Sequence, residues 1–159
     1  VTISFSYSYN SLQKLVVNLD NTFLAICNDK AYYIDVINLQ TNTLWKSFKR
    51  GITSSEIINI DFSKDNLFLI VQNSKGTLHL FDIQEVSIFN ILNSSISKLY
   101  LKNIISYTLF LEDILIMVDT VGNIHFISYK DKELIIQKSI RFLKDSNEPF
   151  VKREFLIDQ

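Results

Sequence analysis

Lys49 and Arg50 are neighbours in Phe48-Lys49-Arg50-Gly51, and the chain returns further on to a second polar run, Ser74-Lys75-Gly76-Thr77-Leu78-His79-Leu80-Phe81. Successive side chains of a strand point to opposite faces, so Lys49 and Arg50 at a strand end serve two neighbouring pockets. Arginine offers a planar fork of donors that fits phosphate, whereas lysine is a compact point charge. Thr77 and His79, two positions apart, place a hydroxyl and an imidazole on one face of a strand. These residue types suit recognition of two anionic head groups. Catalysis finds no foothold. The chain holds two histidines and one cysteine, with no metal-ligand spacing, no glycine-rich phosphate loop and no nucleophile elbow. The expectation is a protein that is not an enzyme, with no catalytic residues, no metal site and no cofactor.

The positioning elements come from the whole chain. At 159 residues, 47% hydrophobic and 21% charged, it has a globular balance and can bury a substantial core. A net charge of −1 argues against a general nucleic-acid binder, so anion recognition must be local. The single Cys27 excludes an internal disulfide and fits a reducing compartment. The most apolar region, 99–118, is interrupted by Lys102, Glu112 and Asp113, so no transmembrane segment is expected. The sequence starts at Val1 without an initiator methionine or a signal-like segment, as a piece of a longer protein would.

Internal repetition sets the architecture. Asn18 and Ser63 are 45 positions apart, as are Leu24 and Leu69, and Ala31 and Gly76; Gly76 and Gly122 are 46 apart. Short runs rich in Ile, Val, Phe and Tyr, separated by Asn, Asp, Ser and Gly, read as strands and disfavour helical repeats. A period near 45 with four strands per unit matches the blade of a WD-repeat propeller. The expected fold is therefore all-β: a partial propeller of about three four-stranded antiparallel blades, at roughly 1–50, 51–103 and 104–159 in one domain. Inner strands fall at 14–19, 56–62 and 105–111, second strands at 23–27, 67–72 and 114–119, third strands at 32–37, 77–83 and 123–129. Outer strands are placed at 43–49, 86–92 and 134–142. Three units do not close a ring, so the remaining blades lie outside this chain or come from another.

With the units placed, the run from Phe48-Lys49-Arg50-Gly51 through Ile60-Asp61-Phe62-Ser63 to Lys75-Gly76-Thr77-Leu78-His79-Leu80-Phe81 resembles the phosphoinositide-binding propellers of autophagy, the PROPPIN or WIPI family. Asp119-Thr120-Val121-Gly122-Asn123 leading into Ile124-His125-Phe126 resembles their last blade. The resemblance spans nearly the whole chain and implies blades five to seven of seven. It implies binding of phosphatidylinositol 3-phosphate and 3,5-bisphosphate in two rim pockets, on either side of the basic pair. Position by position, the main pocket would comprise Arg50, Asn73, Ser74, Lys75, Thr77 and His79. The second would comprise Asn28, Lys30 and Lys49, weakened by the acidic Asp35 and by lysine in place of the family's first arginine.

The resemblance further implies a cytoplasmic effector, peripheral on endosomal, vacuolar or autophagosomal membranes, that recruits autophagy or trafficking proteins. The alternative is a WD-repeat scaffold that binds proteins and not lipid. The even repeat spacing leaves no room for the family's long insertion between the third and fourth strands of its sixth blade. Val86–Leu92 could serve as a short apolar anchor, but the register makes it the outer strand. His125 has no basic pair before it and is expected to be structural. Trp45, with Phe5, Tyr7 and Tyr9, is expected to pack between blades, Cys27 to be a small core residue, and Lys130-Asp131-Lys132-Glu133 to form a solvated turn.

Overall fold

The structure, a computed structural model, describes residues 11–84, 93–103 and 105–142. The apolar runs become antiparallel strands in three sheets. The first holds β1 (Leu12–Val17), β2 (Phe23–Asn28), β3 (Tyr33–Asn38) and β4 (Thr43–Lys49). The second holds β5 (Ile57–Phe62), β6 (Phe68–Asn73) and β7 (Thr77–Asp82), closed by β9 (Ser97–Tyr100). The third holds β10 (Ile105–Leu111), β11 (Ile114–Asp119), β12 (Asn123–Ser128) and β13 (Ile135–Arg141). The two-residue β8 (Asn93–Ser94) lies parallel to the end of β4, pairing Phe48 with Asn93 and Lys49 with Ser94.

The first two repeats open the same way because their turn residues match. Asn21 and Asn66 both take a left-handed conformation, which asparagine tolerates better than branched residues. The Asn18 side-chain oxygen accepts the backbone N–H groups of Thr22 and Phe23, while Asp65 and Ser63 do the same for Leu67 and Phe68. Asn66 also donates to Asp20 at 2.9 Å, tying the two equivalent turns together.

The middle sheet is apolar on both faces because it is packed on both. Leu69, Val71 and Phe81 join Ala25, Cys27, Val36 and Phe48 in a core against the first sheet, where the Phe48 and Phe81 rings lie 5.0 Å apart. Ile70, Leu78 and Leu80 join Phe110, Leu115, Met117 and Ile127 in a second core against the third sheet. Each fully buried Leu, Ile or Phe stabilises such a seam by about 1.5–3 kcal/mol. Inner strands are also stitched by polar groups: Gln13 accepts the Ile57 N–H at 2.9 Å, and Asn59 donates to Thr108.

The expected outer strand at 86–92 is corrected. β7 pairs with β9, Thr77 opposite Tyr100 and His79 opposite Lys98, so the outer strand of the middle sheet is Ser97–Tyr100. Its connection from β7 runs over residues 83–96, against residues 39–42 and 129–134 in the neighbouring sheets. Room for an insertion therefore exists, contrary to expectation. The repeat spacing conceals it because β9 has four residues where β4 has seven, and because the link to the next inner strand shortens from residues 50–56 to 101–104. Val86–Leu92 itself lies outside the described residues, as do Phe5, Tyr7 and Tyr9.

Trp45 is half-exposed; its indole donates to the Ile83 carbonyl at 3.2 Å and its ring tilts against Phe23. Cys27 is a buried core residue, and 130–132 form a short 3-10 turn with no buried residue.

Candidate functional site

β4 carries the basic pair to the rim of the seam between the first and second sheets. Lys49 lies opposite Tyr33, and Ser47 opposite Asp35, which puts Lys49, Tyr33 and Asp35 on one face of the first sheet. Arg50 lies on the other side, in the seam. The strand parity has its expected consequence.

Arg50 is 4% exposed. Its Nε donates to the Ala31 carbonyl and its Nη2 to the Thr53 carbonyl, both at 2.5 Å. Its backbone N–H donates to the Tyr32 carbonyl at 2.9 Å. The guanidinium thus clamps the β2–β3 turn to the segment leading into β5. Burial lowers its pKa, partly countered by Cys27 and Tyr32, yet an arginine remains charged across the physiological range. A permanent cation is therefore fixed at the wall of the seam.

The facing wall is the β6–β7 turn. Asn73 accepts the backbone N–H groups of Lys75 and Thr77, both at 3.0 Å. Gly76 adopts φ +82, and a Cβ there would run into the Leu101 carbonyl. Ser74 bonds Ser55 side chain to side chain at 3.3 Å, while Lys75 is exposed. Asn73 and Ser74 thus build the turn, and Thr77 and His79 follow it on one face of β7. His79 is opposite Val71, which packs in the core shared with the first sheet.

His79 is 4% exposed. Its ring stacks on Phe81 with centroids 6.0 Å apart. Nδ1 lies 3.4 Å from the Ser95 hydroxyl, and Nε2 is buried without a hydrogen-bond partner among the described residues. Burial, then the charges of Lys98 and Arg50, lower its pKa to about 4, so the imidazole is neutral at pH 7.

The repeat supplies an internal comparison. His125 occupies the equivalent position in the third sheet, and both its nitrogens are engaged: Nδ1 with Ser139 at 2.9 Å and Nε2 with Asp119 at 3.3 Å. Asp119 accepts the N–H groups of Val121 and Asn123, as Asn73 does for Lys75 and Thr77. Burial of Asp119 works against ionisation, but hydrogen bonds from Asn123, Asn103 and His125 outweigh it and hold the carboxyl well below the usual range. The third sheet thus fills its pocket with its own acid. The middle sheet makes the same turn with a neutral amide, which leaves a buried imidazole nitrogen without a hydrogen-bond partner among the described residues, in the field of the Arg50 cation.

The residues expected to form a second pocket are less favourably arranged. Asn28 spends its side-chain oxygen on the Ala31 N–H at 2.8 Å, Lys30 is exposed, and Lys49 shares its face with Asp35. Two residues near the main pocket were not legible in the sequence, Ser95 and Lys98. Both depend on the displaced outer strand, whose alternation puts Leu99 against the core and Lys98 and Tyr100 on the opposite face.

No helix among the described residues is long and apolar enough to cross a membrane. Comparison with known proteins gives related sequences and a shared fold. No protein-family model matches the chain. Autophagy-related protein 18 of Kluyveromyces marxianus is 38% identical over 76 residues, which is 48% of this chain and 15% of that protein. Autophagy-related protein 18 of Saccharomyces cerevisiae is 31% identical over 85 residues, 54% of this chain and 17% of that one. The match therefore spans a small part of these relatives' length. Among solved structures, Kluyveromyces marxianus Hsv2 superposes with a TM-score of 0.72 at 17% identity, over 86% of this chain and 48% of its own. KlAtg21, solved in complex with the coiled-coil of AgAtg16, superposes at 0.67 and 18% identity over 85% of this chain and 43% of its own.

Proposed function

We propose, for a chain that belongs to the PROPPIN family of β-propellers, that it binds the head groups of 3-phosphorylated phosphoinositides at the seam between its first and second sheets. The observation that carries this is the buried Nε2 of His79, without a partner among the described residues, beside the fixed Arg50 cation, where the equivalent His125 is bound by its own Asp119. A phosphate oxygen supplies what Nε2 lacks. Thr77, whose hydroxyl has no partner among the described residues, offers a second donor on the same face. Several modest donors converging on one phosphate achieve what a lone charge on a wet surface does not.

The pocket of Asn28, Lys30 and Lys49 adds weakly to the first, and two weak sites facing one membrane reinforce each other through effective concentration. The protein is then a peripheral membrane effector in autophagy or endosomal and vacuolar trafficking, a binding module and not a catalyst. Autophagy proteins are the expected class of partner, because the KlAtg21 neighbour was solved with a coiled-coil of AgAtg16.

Vesicle flotation tests the proposal. The protein is expected to float with vesicles containing phosphatidylinositol 3-phosphate and to stay in solution with vesicles of unphosphorylated phosphatidylinositol. Retention in solution with both would overturn lipid binding and leave a protein-binding scaffold.

A further inference from the structure

We propose that Lys98 delivers mobile positive charge to the bound phosphate, supplementing the fixed charge of Arg50. This rests on the head-group site above and deepens it. The two donor groups that Arg50 directs at Ala31 and Thr53 are taken up by carbonyls at 2.5 Å. A phosphate would have to break those bonds to claim the same N–H groups. Lys98 is directly opposite His79 across the β7–β9 pair, where Cβ atoms lie about 4.5–5.5 Å apart. Its side chain is therefore on the His79 face, at the open rim, and Lys98 is exposed. Among the described residues no acid pairs with it.

Electrostatics agree with this geometry. After burial, Lys98 is the larger of the two charge effects on His79, ahead of Arg50. A long, flexible ammonium suits the role, since it can swing onto a phosphate without disturbing the fold. The limb that brings Lys98 is anchored at both ends. β8 pairs with the end of β4, and the Ile96 N–H donates to the Leu80 carbonyl at 2.8 Å. Between these anchors Ser95 meets His79 Nδ1, so the outer strand contributes both a hydroxyl and a cation to a site whose floor belongs to β4 and β7.

The test uses Lys98→Met, which keeps the stem and removes the charge, with Lys102→Met as an exposed control on the link after β9. Binding is measured to vesicles containing phosphatidylinositol 3-phosphate, to soluble inositol 1,3-bisphosphate and to inorganic phosphate. Lys98→Met is expected to weaken binding to vesicles and to soluble head group alike by about tenfold, the worth of one charge-assisted hydrogen bond, with a shallower salt dependence and unchanged thermal unfolding. Inorganic phosphate is expected to compete with the head group in the unaltered protein and less in the variant. Lys102→Met is expected to bind as the unaltered protein does. Undiminished binding by Lys98→Met, or a loss confined to vesicles, overturns the assignment of Lys98 while leaving the site. Absence of binding by the unaltered protein overturns the site and this inference together.

Discussion

Arg50→Ala is expected to lower the unfolding temperature by roughly 6–12 °C and to abolish measurable head-group binding. The stability effect follows from the two bonds to Ala31 and Thr53. Hydrogen bonds to a charged group contribute about 1.5–3 kcal/mol each, and their loss leaves carbonyls without a partner. A net cost of about 3 kcal/mol in a domain of this size corresponds to that temperature shift. The binding effect follows from the loss of the clamp that fixes one wall of the seam, together with its charge. Arg50→Lys separates the two contributions: an ammonium keeps the charge but cannot span two carbonyls as a rigid fork. It should recover part of the binding and little of the stability. An alanine variant that melts with the unaltered protein would show that the clamp does not hold the seam.

Asn73→Asp should leave the fold intact and remove lipid binding. Asp119 shows that an acid makes this turn well, with its oxygen accepting the N–H groups of Val121 and Asn123 at 3.1 and 2.8 Å. Its second oxygen reaches His125 at 3.3 Å, so an acid at position 73 would aim a carboxylate at the buried Nε2 of His79. It would also repel phosphate. Like charges about 4 Å apart in a partly buried site oppose each other by about 4 kcal/mol, up to roughly three orders of magnitude in affinity. Circular dichroism and thermal melts should match the unaltered protein, whereas titration with inositol 1,3-bisphosphate should show at least a tenfold loss. Retained affinity in a folded Asp variant would mean that neutrality at this turn is not what opens the pocket.

The strands were legible wherever apolar alternation and turn residues repeat at a fixed spacing, as at Asn21 and Asn66 or Gly76 and Gly122. The opposition of Lys49 and Arg50 was legible too, because it follows from strand geometry alone. The outer strand of the middle sheet was not. A long connection, a short β9 and a short link cancel in the count, so a near-constant period concealed both the insertion and the delivery of Ser95 and Lys98. The partners of Arg50 were equally hidden, since the Ala31 and Thr53 carbonyls point inward only because of how two turns fold over the seam. The difference between His79 and His125 was in principle readable from one pair of residues, Asn73 and Asp119, at equivalent places in the repeat.

The most direct measurement is a pH titration of the His79 ring by NMR, with and without inositol 1,3-bisphosphate. In the free protein His79 should titrate near its depressed value of about 4, because burial and two neighbouring cations disfavour the imidazolium. A phosphate at Nε2 favours that charged form, so its pKa should rise on binding and the Nε2 resonance should move. A His79 ring whose resonances and pKa are unchanged at saturating head group would contradict the account.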